Sequence, residues 1–91
     1  MKNDLDKFIN LLEIGDPADD EVFCKILATS EKALNMSDQD LGRAIRVSRP
    51  TVTRWRNGKS VPHPLVRKGV IDFLKERSIQ MKKVENDNSR N

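Results

Sequence analysis

Residues 36–62 read MSDQDLGRAIRVSRPTVTRWRNGKSVP, and the fold turns on this stretch. It describes two short helices joined by a tight turn. Ser37 is an N-cap, and Asp40 supplies a weak form of the capping box, since Glu or Gln is the better partner at that place. Leu41, Ala44 and Ile45 then recur at helical spacing and mark a buried face. Ser48 is a second N-cap, and Pro50 falls in the first turn, where its missing N–H costs nothing. Val52 and Trp55 share the inner face of that second helix, and Asn57-Gly58 ends it because Gly tolerates a left-handed exit. Helices this short do not persist alone, so a third must pack on them.

The flanks supply that support. Asp4 to Leu12 is a short amphipathic helix with Leu5, Phe8, Ile9, Leu11 and Leu12 apolar, stopped by Gly15-Asp16-Pro17. Asp19 or Asp20 caps a longer helix to about Asn35, with Val22, Phe23, Ile26, Leu27, Ala33 and Leu34 inward. Pro64 to about Ser78 is a last long helix. Its apolar stripe is Leu65, Val66, Val70, Phe73 and Leu74, with Arg67, Lys68, Lys75 and Arg77 facing out. After Met81 the sequence KKVENDNSRN has one aliphatic residue and no period, so residues 81–91 are expected to be a disordered tail. The expectation is an all-α fold of four to five helices in one domain over residues 1–80.

Composition narrows the function. The 91 residues are 36% hydrophobic and 34% charged, enough for one economical core. Only four aromatics occur, Phe8, Phe23, Trp55 and Phe73, too few for the stacking surface that holds single-stranded nucleic acid. The single Cys24 excludes an internal disulfide and suits a reducing cytoplasm. No apolar run approaches a membrane span, and no signal-peptide pattern opens the chain.

Charge is unevenly placed. The net value is +3, but residues 1–40 carry four Lys against ten Asp and Glu, and residues 41–91 carry thirteen Lys and Arg against four acids. From Leu41 to Ile71 there are eight basic residues and no acidic one. A one-signed segment over paired helices is the footprint of phosphate contact, where a merely solvated face usually mixes signs.

Catalytic and metal chemistry find no pattern. The acidic cluster Asp16, Asp19, Asp20, Glu21 lacks calcium-loop spacing and reads as helix capping. Gly58-Lys59-Ser60 is no P-loop, because Thr53 stands where the upstream Gly is required and no strand precedes it. His63 lies between Pro62 and Pro64 with no nucleophile or second ligand nearby. No enzyme activity, metal or cofactor is expected.

Residues 36–62 resemble the helix-turn-helix of the Cro and phage-repressor family, the lambda-repressor-like domain. The resemblance rests on Ser37, Leu41, Gly42, Ile45, Val47, Ser48, Val52, Trp55, Asn57-Gly58-Lys59 and Pro62 in register, and places the motif at about residues 37–57. Arg46 departs from it, standing where the family usually has a turn Gly, and costs roughly 1 kcal/mol or more if that position is left-handed. The opening helix is an addition to the minimal pattern.

The resemblance implies a docking mode in which the second helix enters the major groove of double-stranded DNA. Positions facing base edges fall on Arg49, Pro50, Thr53 and Arg54. Arginine suits that task, since one guanidinium bonds both O6 and N7 of guanine. Thr53 offers contact to a thymine methyl or base edge, and Pro50 only apolar contact. Ser37, Arg43, Ser48, Thr51, Asn57, Lys59 and Ser60 are the expected backbone contacts, while Asp38 and Asp40 serve the helix dipole. The expected role is a sequence-specific transcriptional regulator acting by operator occupancy as a homodimer, in the cytoplasm of a bacterium or encoded by a phage or plasmid. The acidic N-terminal half is the place for a protein partner. Two alternatives stay open, an accessory factor in recombination, packaging or replication, and an antitoxin-like protein-interaction module.

Overall fold

Five helices and, among the described residues, no strands make up the computed structural model, which describes residues 3–89, with side chains to residue 85. They are α1 (Asp4–Ile14), α2 (Asp20–Leu34), α3 (Asp38–Ile45), α4 (Arg49–Arg56) and α5 (Pro64–Ser89). Each start is fixed locally. Asn3 Oδ1 accepts the Asp6 N–H at 2.8 Å, and Asp19 Oδ1 accepts those of Glu21 and Val22. His63 Nδ1 accepts the Leu65 N–H at 3.1 Å and opens α5, which accounts for the lone histidine.

α2 is the central support. Its Phe23, Ile26 and Leu27 are fully buried between Phe8 of α1, Val52 and Trp55 of α4, and Leu74 of α5. Phe23 and Trp55 meet edge to face with centroids 6.2 Å apart, an arrangement that adds about 1 kcal/mol to the area buried. Trp55 is therefore core, as its shared face with Val52 predicts. α1 packs on α2 and α5, which leaves α3 and α4 as a projecting pair.

Three expectations are corrected here. Ala44 is exposed, and the inward face of α3 is Leu41 with Gly42, joined by Ile45 half-buried against the core. Gly42 lies under the turn, where an added Cβ would collide with the Val47 carbonyl oxygen. Arg67 does not face out. It is only 7% exposed, and the inward stripe of α5 runs Arg67, Val70, Ile71, Leu74, Ser78. Its Nη1 donates to the Pro17 and Ala18 carbonyls at 2.9 and 3.1 Å and pairs with Asp20 at 3.1 Å. Its Nη2 donates to the Pro62 carbonyl at 3.3 Å, and the guanidinium lies 5.3 Å over the Phe23 ring. One cation thus ties the loop before α2 and the loop after α4 to α5. Leu65 and Val66, expected on the stripe, are instead 76% and 46% exposed.

The third concerns the tail. α5 does not stop near Ser78 but continues to Ser89, so residues 81–89 are helical rather than disordered; residues 90–91 lie outside the described residues. Contacts with α1 hold the extension. Lys82 Nζ donates to Asp6 at 2.7 Å, Asn3 Nδ2 donates to Glu85 at 3.2 Å, and Met81 packs on the core. No described helix is long and apolar enough to cross a membrane.

Candidate nucleic-acid interface

α3 and α4 form the projecting unit, and local bonds set its shape. Ser37 Oγ accepts the Asp40 N–H at 3.1 Å while Asp40 Oδ2 accepts the Ser37 N–H at 3.1 Å, so the capping box is complete with Asp in the Glu position. Hydrogen bonding to the carboxylate by the Ser37 backbone N–H first, and by its side chain, holds the Asp40 carboxyl below its ordinary range. The turn follows through Arg46 in the left-handed region (φ 62°, ψ 45°), and the Val47 N–H donates to the Gly42 carbonyl at 2.8 Å.

α4 starts at Ser48, whose Oγ accepts the Thr51 N–H at 3.4 Å and lies 2.8 Å from Thr51 Oγ1. Thr51 Oγ1 also accepts from Arg54 Nη2 at 3.2 Å, so Ser48, Thr51 and Arg54 are linked along the outer side of α4. The helix leaves by a Schellman turn. Gly58, at φ 74°, donates its N–H to the Trp55 carbonyl at 3.1 Å, and Lys59 N–H donates to the Arg54 carbonyl at 2.9 Å. This places Asn57, Lys59 and Ser60 together in an exposed loop at the helix end.

Of the positions expected to face base edges, Arg49, Pro50 and Arg54 lie exposed on α4. Thr53 is half-buried, with its hydroxyl 2.8 Å from Asp38 Oδ2 and 3.0 Å from the Arg49 carbonyl. Its proton is committed inward, leaving the methyl as what it can offer. Ser37, Arg43 and Ser48 are exposed, with Arg43 on the outer side of α3; Thr51 is half-buried between Ser48 and Arg54.

An ion-pair network that sequence reasoning missed locks α4 onto the start of α3. Arg56 donates Nε to Asp38 Oδ1 at 3.0 Å and Nη2 to Asp38 Oδ2 at 2.8 Å, a two-pronged fork, and its Nη1 lies 3.6 Å from Glu31 of α2. The partners are 18 residues apart, beyond any helical spacing, so no local rule pairs them. The Arg56 fork, aided by Thr53 and opposed by burial, holds the Asp38 carboxyl below its ordinary range. A depressed carboxyl stabilises the fold fully above its unfolded pKa and loses that stabilisation as pH falls through the folded value. Asp38→Asn is thus expected to cost about 1–2 kcal/mol at neutral pH, a gap to wild type that closes below about pH 4. Urea melts at several pH values read this; a gap that stays constant into strong acid would mean that the carboxylate charge is not what locks the helices.

The side-chain types and their arrangement suit an anionic duplex. Residues 31–66, from the last turns of α2 to the first turn of α5, match the family model described as helix-turn-helix. The chain matches no curated protein and no solved structure. The matched segment carries the complete α3–turn–α4 unit with its supporting helix ends, and residues 31–66 belong to the Cro/phage-repressor helix-turn-helix family of DNA-binding domains.

Proposed function

We propose that the protein is a sequence-specific double-stranded DNA-binding transcriptional regulator that acts by occupying an operator. The observation that carries this reading is the exposed edge of α4, where Arg49, Pro50 and Arg54 stand clear of the fold within a segment of eight basic residues and no acid. Arg49 and Arg54 read guanines, Pro50 and the Thr53 methyl add apolar contact, and the Ser37, Arg43, Ser48, Thr51, Asn57, Lys59 and Ser60 set touches the backbone. The role is one of binding, with no bond-making step, and its place is the cytoplasm.

A homodimer is supported by the exposed Leu65 and Val66 at the start of α5, apolar side chains that the core leaves uncovered. Two copies related by a twofold axis would set their α4 helices about 34 Å apart, one turn of DNA. At the acidic N-terminal half, Ile14 is 74% exposed and supports a protein partner there.

Selection from randomised duplexes at low and moderate salt tests the reading. Enrichment of an inverted repeat with guanines in each half-site is the expected result. Salt-sensitive binding without enrichment would favour an accessory factor in recombination, packaging or replication. No binding even at low salt would leave a protein-interaction module.

A further inference from the structure

Three successive helices leave through a residue in the left-handed region, Asn35 at φ 52°, Arg46 at φ 62° and Gly58 at φ 74°. Each exit closes with a backbone bond of the same span: Met36 N–H to the Glu31 carbonyl at 3.0 Å, Val47 to Gly42 at 2.8 Å, and Lys59 to Arg54 at 2.9 Å. Asparagine and glycine suit that conformation. For other residues Cβ crowds the following carbonyl oxygen, so Arg46 alone stands against its local preference. Unfavourable backbone of this kind is concentrated where a side chain serves a ligand.

The surroundings of Arg46 say which ligand. With Gln39, Arg43, Val47, Ser48 and Arg49 it borders an open notch of about 390 Å³ between the end of α3 and the start of α4. Three arginines therefore border one hollow, and among the described residues none of them belongs to an ion pair. The acids closest along the chain make their hydrogen bonds elsewhere, Asp38 with Arg56 and Asp40 with the Ser37 cap, and act on Arg49 and Arg43 only through weaker charge attraction. With Arg49 given to the bases, Arg43 and Arg46 leave positive charge at the notch that an anion would offset. The notch also adjoins the end of α3, the helix that crosses the DNA backbone in the proposed docking mode, while Arg49 on its far side faces the bases.

We infer that this notch seats one phosphodiester of the duplex and that Arg46 is the ligand that completes it, at the expense of a less favourable turn. The inference rests on the DNA-binding reading and adds to it a contact at a position where the resemblance supplies only a turn residue.

Arg46→Gly and Arg46→Asn test it, because both residues suit the turn and neither carries charge. Thermal melts of the full chain are paired with titrations of a selected duplex and an unrelated one across a range of salt. Arg46→Gly is expected to raise Tm by about 4–8 °C. Both variants should bind the two duplexes about tenfold more weakly at moderate salt, with the salt slope reduced by about 0.9, as for one lost phosphate contact. Arg46→Lys should keep the wild-type slope without the gain in Tm. Wild-type affinity and slope in Arg46→Gly, with or without the stability gain, would overturn this inference alone. A wild-type chain that binds neither duplex at any salt would overturn it together with the DNA-binding reading.

Discussion

Changing Arg49 and Arg54 together to alanine is expected to lower affinity for a selected operator by about 30-fold to about 10⁴-fold, on the basis of about 1–3 kcal/mol for each two-pronged guanine contact. Both side chains are exposed and neither belongs to the core, so the melting behaviour should stay close to wild type. Arg54 enters the complex from a held position, since Thr51 Oγ1 accepts from its Nη2 at 3.2 Å and limits the rotamers it must give up. Titration against the operator and an unrelated duplex at one salt concentration separates the roles. A larger loss on the operator marks base readout. Equal losses on both would move the two arginines to the phosphate backbone, and no loss on either would remove α4 as the reading helix.

Arg67→Ala is the substitution expected to cost the most stability, about 2–4 kcal/mol out of a total of about 5–15, from buried carbonyls left without a donor. Removing the guanidinium strands the Pro17, Ala18 and Pro62 carbonyls, which it joins across 50 residues of chain, and uncovers the Phe23 ring. The Asp20 pair contributes little to this figure, because that carboxylate is largely in water. Arg67→Met, which keeps the stem over Phe23 but not the donors, should fall between the two. Urea unfolding gives the values. A cost below about 1 kcal/mol for Arg67→Ala would show that water replaces the guanidinium at those carbonyls.

The α3–turn–α4 unit was legible in the sequence because its determinants are local. Ser37, Ser48 and Asp19 cap backbone groups two or three residues away, and the Gly58 exit closes within five. Such contacts are encoded by spacing alone, and so were the inward Val52 and Trp55. Arg49, Pro50 and Arg54 lie exposed for the same reason, since a helix start and a period of 3.6 fix which way each residue points.

Tertiary structure decided the rest. Periodicity shows that α5 has a buried face but not how charge is distributed around it. A lone cation is costly to bury, and carbonyls from the α1–α2 loop and from Pro62 just before α5 offset much of that cost for Arg67. Once Arg67 turns in, the stripe rotates, Leu65 and Val66 face outward, and Ile71 and Ser78 turn inward. Residues 81–89 have no amphipathic period of their own and are helical because α1 offers Asn3 and Asp6 to Glu85 and Lys82. Thr53 and Asp38, each read as a surface residue of one helix, meet only because the turn folds α4 back on α3. The sequence by itself determined where helices start, stop and point; which polar groups find partners across the fold was decided by packing, because those pairings depend on distances that spacing along the chain does not encode.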